Sequence, residues 1–160
     1  MGRNNLVVER EKLQFTMSRD FDAPRELVWK ACTDSTLIPN WWGPAYYTTV
    51  VEQNELAVGG AWRFIQTDAQ GNRHVFYGVY QEVRQPEKLA YTFEYEPYAG
   101  HVSVDAITFE ELPGGKTRLT AVTTFTTLED LEGMLQSGME EGAVEGWDRL
   151  EALAASLMRV

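Results

Sequence analysis

Between residues 48 and 125 apolar and polar side chains alternate through six short runs, and only tight turns separate most of them. Alternation with a period of two marks a strand with two unlike faces. The runs cover residues 48–56, 61–67, 74–83, 89–95, 101–112 and 116–125. Four of the breaks are Val58-Gly59-Gly60, Asp68-Ala69-Gln70-Gly71-Asn72, Arg84-Gln85-Pro86-Glu87 and Pro113-Gly114-Gly115. Parallel neighbours need a crossover of about a dozen residues, usually a helix, and no such segment fits. Consecutive strands therefore pair mostly antiparallel, and the helices lie towards the ends of the chain.

A further strand is read at residues 13–21, where Leu13, Phe15, Met17 and Arg19 share one face. Residues 1–12 are polar and read as a loose extension, although Leu6, Val7 and Val8 could lengthen that strand. Asp22-Ala23-Pro24 opens a helix with Leu27, Val28, Ala31 and Cys32 at helical spacing. Proline suits its first turn, where the missing N–H has no partner anyway. Asp34 caps a second helix that Pro39 holds to about one turn, before the rigid aromatic turn Trp41-Trp42-Gly43-Pro44. The last element reads as one helix over residues 128–158, with Leu131, Leu135, Met139, Trp147, Leu150 and Leu157 on its apolar side. At 1.5 Å per residue it would span about 45 Å. The expected architecture is one α+β domain over residues 1–160. A curved antiparallel sheet wraps a long C-terminal helix, and two short helices follow the first strand.

Composition removes several functions. Twenty-four acidic residues against 14 basic ones give a net charge of −10, and the basic residues are scattered. Such a chain repels a phosphate backbone, so neither nucleic acid nor an anionic membrane is an expected partner. No run of eighteen apolar residues occurs, and residues 1–12 lack the apolar stretch of a secretory signal. Cys32 is the only cysteine, which rules out an intrachain disulfide and suits a reducing, cytoplasmic setting. On its helix it reads as a small buried hydrophobe.

Gly138, Gly142 and Gly146 recur every four residues in the predicted final helix. Each costs about 1 kcal/mol relative to alanine in a helix interior. A stripe of this kind either lets aromatic residues pack closely or leaves room beneath a roof. Trp62, Phe64, Tyr77, Tyr91, Phe93, Tyr95, Phe109 and Phe125 all lie on strands, which favours a pocket. The residues expected to line it are Trp41, Trp62, Phe64, Tyr77, Tyr91, Phe93, Phe109, Gly138, Met139, Gly142 and Gly146.

The order of these pieces resembles a known family. It runs Asp22-Ala23-Pro24, Asp34, Trp41-Trp42-Gly43-Pro44, Gly59-Gly60-Ala61-Trp62-Arg63-Phe64, Gly78-Val79-Tyr80, Pro86-Glu87-Lys88-Leu89, Thr108-Phe109-Glu110-Glu111, and then Gly146, Trp147 and Leu150. The set is similar to the SRPBCC (START-like, polyketide-cyclase-like) superfamily. Within it, the chain resembles the bacterial branch similar to the C-terminal domain of activators of the heat-shock-protein-90 ATPase. The resemblance implies a helix-grip fold with a deep cavity between sheet and helix that often takes hydrophobic ligands. It does not imply the chaperone-activating role, which belongs to two-domain proteins.

Enzymes of that superfamily place a few polar side chains in the pocket. Candidates here are Arg63, His74, Tyr77, Tyr91, His101 and Glu110, but no pair has diagnostic spacing. Arg63 alternates with Trp62 and Phe64 and so belongs to the opposite face. Cys32 and the two histidines make no zinc spacing, no glycine-rich loop precedes a helix, and Gly-x-Ser-x-Gly is absent. No catalytic residue, metal or cofactor is therefore assigned. The expected function is binding of an apolar or aromatic small molecule, as carrier or sensor, by a monomer or homodimer. A cyclase- or hydrolase-like enzyme and a stress-related chaperone adaptor are the alternatives.

Overall fold

The computed structural model describes residues 4–158. Eight strands form one antiparallel sheet: β1 (Asn5–Glu9), β2 (Gln14–Phe21), β3 (Thr48–Asn54), β4 (Ala61–Thr67), β5 (Arg73–Arg84), β6 (Lys88–Tyr95), β7 (Ser103–Leu112) and β8 (Lys116–Thr124). Their order across the sheet is β1-β2-β8-β7-β6-β5-β4-β3. The expected α+β helix-grip class holds. Part of the segment read as a loose extension is a strand: Leu6, Val7 and Val8 pair with Met17, Thr16 and Phe15 of β2. Leu13 between them adopts φ 57°, a left-handed turn that separates the two strands. Residues 1–3 and 159–160 of the expected domain lie outside the described residues.

Helix α1 (Arg25–Thr33) starts one residue after Pro24, which occupies the cap rather than the first turn. Asp34 then accepts from the Thr36 N–H (2.9 Å) and hydroxyl (2.7 Å), and the following turn Ile38–Asn40 is a short 3-10 helix. The chain then crosses to the far edge of the sheet and returns strand by strand.

The C-terminal segment is two helices, not one. Helix α2 (Leu128–Gln136) is capped by Thr127, whose hydroxyl accepts from the Asp130 N–H (3.1 Å). It stops at Ser137, and Gly138 turns the chain at φ 84° before α3 (Met139–Leu157). A glycine in the left-handed region just past a helix end is a common C-terminal stop. At 1.5 Å per residue α3 is therefore about 28 Å long, not 45 Å.

One face of the sheet carries the core. Phe21, Trp62, Phe64, Leu89, Phe109 and Leu119 are buried beneath α1 and α3, which supply Val28, Trp29, Trp147, Leu150 and Ala154. Phe21 meets Trp147 edge-on at 5.8 Å, and Phe109 meets Trp29 at 5.1 Å. Arg19 of β2 also points inward, and its side chain is fully buried. Its guanidinium reaches Asp148 (2.8 Å) and Glu151 (3.4 Å) of α3 and donates to Asn4 Oδ1 (2.7 Å). That arginine ties the sheet to α3 by charge as well as by packing. At the other end, Phe15, Phe125 and Leu131 form a smaller cluster that seats α2.

Candidate ligand-binding site

Among the described residues, a larger and a smaller cavity lie against the inner face. The larger, about 650 Å³, sits between β5–β8 and α2. Its apolar wall is Phe76, Phe93, Tyr95, Tyr98, Phe125 and Met134, and Ser103, Gly133 and Ser137 leave it open. Phe76 stacks on Tyr95 (5.0 Å) and meets Phe93 at 5.6 Å, so the aromatic wall is continuous. The mouth is polar: His101, Glu129 and Asp130 flank it, and His101 Nδ1 lies 2.9 Å from Asp130 Oδ1. The smaller cavity, about 50 Å³, is lined by Cys32, Trp41, Trp42, Trp62, Phe64, Tyr80, Leu89, Tyr91 and Ile107.

The Trp41–Pro44 turn closes the small cavity and is held in place from three sides. Trp41 Nε1–H donates to the Ala31 carbonyl (2.8 Å), and Trp42 meets Phe64 and Phe76 edge-on at 5.1 and 5.2 Å. Gln66 and Thr49 both donate to the Trp42 carbonyl, at 3.1 Å each. Arg149 of α3 donates to the carbonyls of Gly43 and Asn40. Gly43 adopts φ 79°, a left-handed conformation that favours glycine, and a Cβ there would displace Gln66 Nε2, 2.0 Å away, from the Trp42 carbonyl.

The expected site residues divide. Phe93 lines the large cavity, and Trp41, Trp62, Phe64 and Tyr91 line the small one. Tyr77 does not point inward. It pairs with Arg63 on the outer face and donates to Glu94 (3.3 Å). Phe109 is on the inner face but fills solid core under α1. The glycine stripe is no roof. Gly138 is the turn between helices, and a Cβ built on Gly146 would sit 3.6 Å from the Trp41 carbonyl oxygen, in ordinary contact with that turn. A Cβ on Gly142 would meet nothing within 4 Å, yet it lines neither cavity. Met139 packs into the Phe15–Phe125 cluster. The glycine in the cavity wall is Gly133. Arg63 is on the outer face, as alternation requires, paired with Glu52 (2.6 Å) and Glu96 (3.3 Å).

Several polar groups face this region. Burial pushes the Cys32 thiol up to about 12, so it is neither thiolate nor nucleophile at neutral pH. His74 bridges the Tyr95 hydroxyl (2.8 Å) and Asp68 (3.5 Å). Asp105 of β7 accepts from the Thr123 hydroxyl, and burial lifts its carboxyl to about 6 against that hydrogen bond. Tyr91, its neighbour in register, is raised well above its ordinary value by burial first and then by the Asp105 charge. Asp105 had no signal in the sequence beyond lying within a strand. Among the described residues no group of three or more His, Cys, Asp or Glu could hold a metal ion. No described helix is long and apolar enough to cross a membrane.

The fold recurs in solved bacterial proteins. A protein from Arthrobacter aurescens is 25% identical over 95% of this chain and 91% of its own, with a TM-score of 0.86. One from Mycobacterium smegmatis is 26% identical over 93% of this chain and 94% of its own, with a TM-score of 0.83. One from Rhodobacter sphaeroides, 21% identical over 97% and 98%, has a TM-score of 0.87 and shows the fold alone. No curated protein matches the chain. Residues 22–155 match the family described as Activator of Hsp90 ATPase homolog 1-like protein, within the SRPBCC superfamily. That match covers most of the chain, which therefore belongs to the Activator of Hsp90 ATPase homolog 1-like family.

Proposed function

We propose that this protein binds an apolar, ring-bearing small molecule in the large cavity, as a carrier or sensor. The observation that carries the reading is the cavity itself: about 650 Å³, walled by five aromatic side chains and Met134, beside a polar mouth. Concave, mostly apolar spaces of this size with a few polar groups are the usual form of small-molecule sites. Titration with the neutral dye N-phenyl-1-naphthylamine tests it. The expected result is a saturable fluorescence rise with one site per chain, and amide shift changes grouped around Phe93, Phe125 and Met134. Absence of saturable binding, or shift changes grouped elsewhere, would overturn the reading.

A cyclase- or hydrolase-like activity has one supporting observation, the Asp68–His74–Tyr95 chain at the edge of the cavity. It ranks second because burial raises the Tyr95 hydroxyl and leaves it protonated at neutral pH. A thiol pushed up to about 12 supplies no nucleophile in its place.

A further inference from the structure

Asp105 is in the wall of neither cavity but lies on β7 between residues that wall each of them. Ser103, two residues before it, lies in the wall of the larger one, and Ile107, two residues after, lies in the wall of the smaller. Residues two apart on a strand share a face and sit roughly 7 Å apart. The same boundary runs across β6, where Phe93 walls the larger space and Tyr91, the register partner of Asp105, walls the smaller. Asp105 is only half-buried. Strands β6 and β8 cover both edges of β7. Sharing a face with Ser103 and Ile107, its side chain is directed towards the space between sheet and helices.

Its hydrogen bonding is incomplete. Thr123 donates to Oδ1, and among the described residues no lysine or arginine pairs with the carboxylate and nothing donates to Oδ2. A carboxylate taken partly out of water without a cation is a costly arrangement. The surroundings favour the same charge in a guest. The large cavity presents Glu129 and Asp130 at its mouth and neither Lys nor Arg in its wall, and the whole chain carries −10. The faces of Phe76, Phe93 and Phe125 can also attract a cation.

Building on the binding function proposed above, we infer that the ligand is a lipophilic amine, its ammonium group held by Asp105 and its apolar body lying against Phe93 and Phe125. The groups facing Asp105 do not compete for the positive charge. Tyr91 from β6 is held protonated by burial, as are Tyr80 from β5 and Cys32 from α1 close by, and Thr123 from β8 is neutral. The lift of the Asp105 carboxyl to about 6 fits an acid that lacks its counter-ion.

Three probes of one shape test this: 1-naphthylmethylamine, 1-naphthylmethanol and 1-naphthoic acid, titrated into the wild type and Asp105→Asn near neutral pH. The wild type should take the amine at least tenfold more tightly than the alcohol, and the acid most weakly. Asp105→Asn should weaken the amine on the order of tenfold or more and leave the alcohol nearly unchanged. Should that variant not fold, the Asp105 carboxyl carbon can be followed by NMR in the wild type. Its midpoint should fall when the amine is added and stay put with the alcohol. Equal binding of amine and acid, or an Asp105 midpoint indifferent to the amine, would overturn the inference while leaving the cavity a binding site. Failure of all three probes and of the neutral dye would remove both.

Discussion

Replacing Gly133 by leucine separates a ligand cavity from a merely loose patch of structure. Gly133 lies in the second turn of α2, in the wall of the large cavity, and a Cβ built on it meets nothing within 4 Å. Two effects follow. Removing a glycine from a helix interior gains about 0.5–1 kcal/mol. The new side chain also projects towards Phe76, Phe93 and Phe125 in partly solvated space, so only a fraction of the roughly 1.5–3 kcal/mol for full burial is recovered. A net gain of about 1 kcal/mol should raise the midpoint of thermal unfolding by about 2–4 °C. Saturable binding of N-phenyl-1-naphthylamine should fall at the same time. Gly142→Leu is the control. Its Cβ also meets open space, but it lines neither cavity, so stability should rise similarly and dye binding should hold. A lower midpoint for Gly133→Leu, or dye binding that survives it unchanged, would refute the reasoning.

Gly138→Ala should lower stability by about 1–2 kcal/mol in a denaturant melt, because alanine at φ 84° is strained, whereas Gly142→Ala should raise it. Arg19→Ala should cost about 2–3 kcal/mol, since it strips partners from Asn4, Asp148 and Glu151 together, and Arg19→Met should cost less because the stem still packs. Asp105 binds its proton more readily when folded. Its contribution to stability is full below about pH 4 and lost as pH rises through about 6, a difference of at most about 3 kcal/mol. Asp105→Asn should therefore be more stable than the wild type at pH 7.5 and gain nothing at pH 4, read from paired urea melts. Cys32 should react slowly with a thiol reagent at pH 8 in the native protein and rapidly in urea.

Much of the sheet can be read from alternation alone. The run 61–67 is β4 residue for residue, and the β7–β8 hairpin turns at the expected Pro113-Gly114-Gly115. Alternation misleads at β5, where the register shifts between Tyr80 and Glu82. Phe76 and Tyr80 face inward before the shift, and Val83, paired with Leu89, faces inward after it. Counting back from Val83 in steps of two reaches Tyr77, on the wrong face, because a bulge inverts the parity of a strand. The helical break had a signal in Ser137-Gly138, a common stop, that the even spacing of three glycines obscured. The cavity itself had none. It depends on α2 being a separate helix over the end of the sheet, a tertiary placement that no local pattern encodes. Asp105 is invisible for a related reason: only its cross-strand neighbours, Tyr91 on β6 and Thr123 on β8, distinguish it from an ordinary strand acid.

The pairing of β2 with β8 has a consequence for how the molecule assembles. Gln14 lies opposite Thr124 and Phe21 opposite Thr117, so β2 sits between its sequence neighbour β1 and a strand about a hundred residues away. Closing so long a loop is entropically costly and comes before the contacts that reward it, which slows folding. Until residues 117–124 arrive, Phe15, Met17 and Phe21 have no partner on that side, and Phe76, Phe93 and Tyr95 lack the α2 that faces them. The expected order is that the meander from β3 to β8, built from short connections, forms first and takes up the N-terminal hairpin late, so conditions that slow that step should favour aggregation over any change in the finished structure.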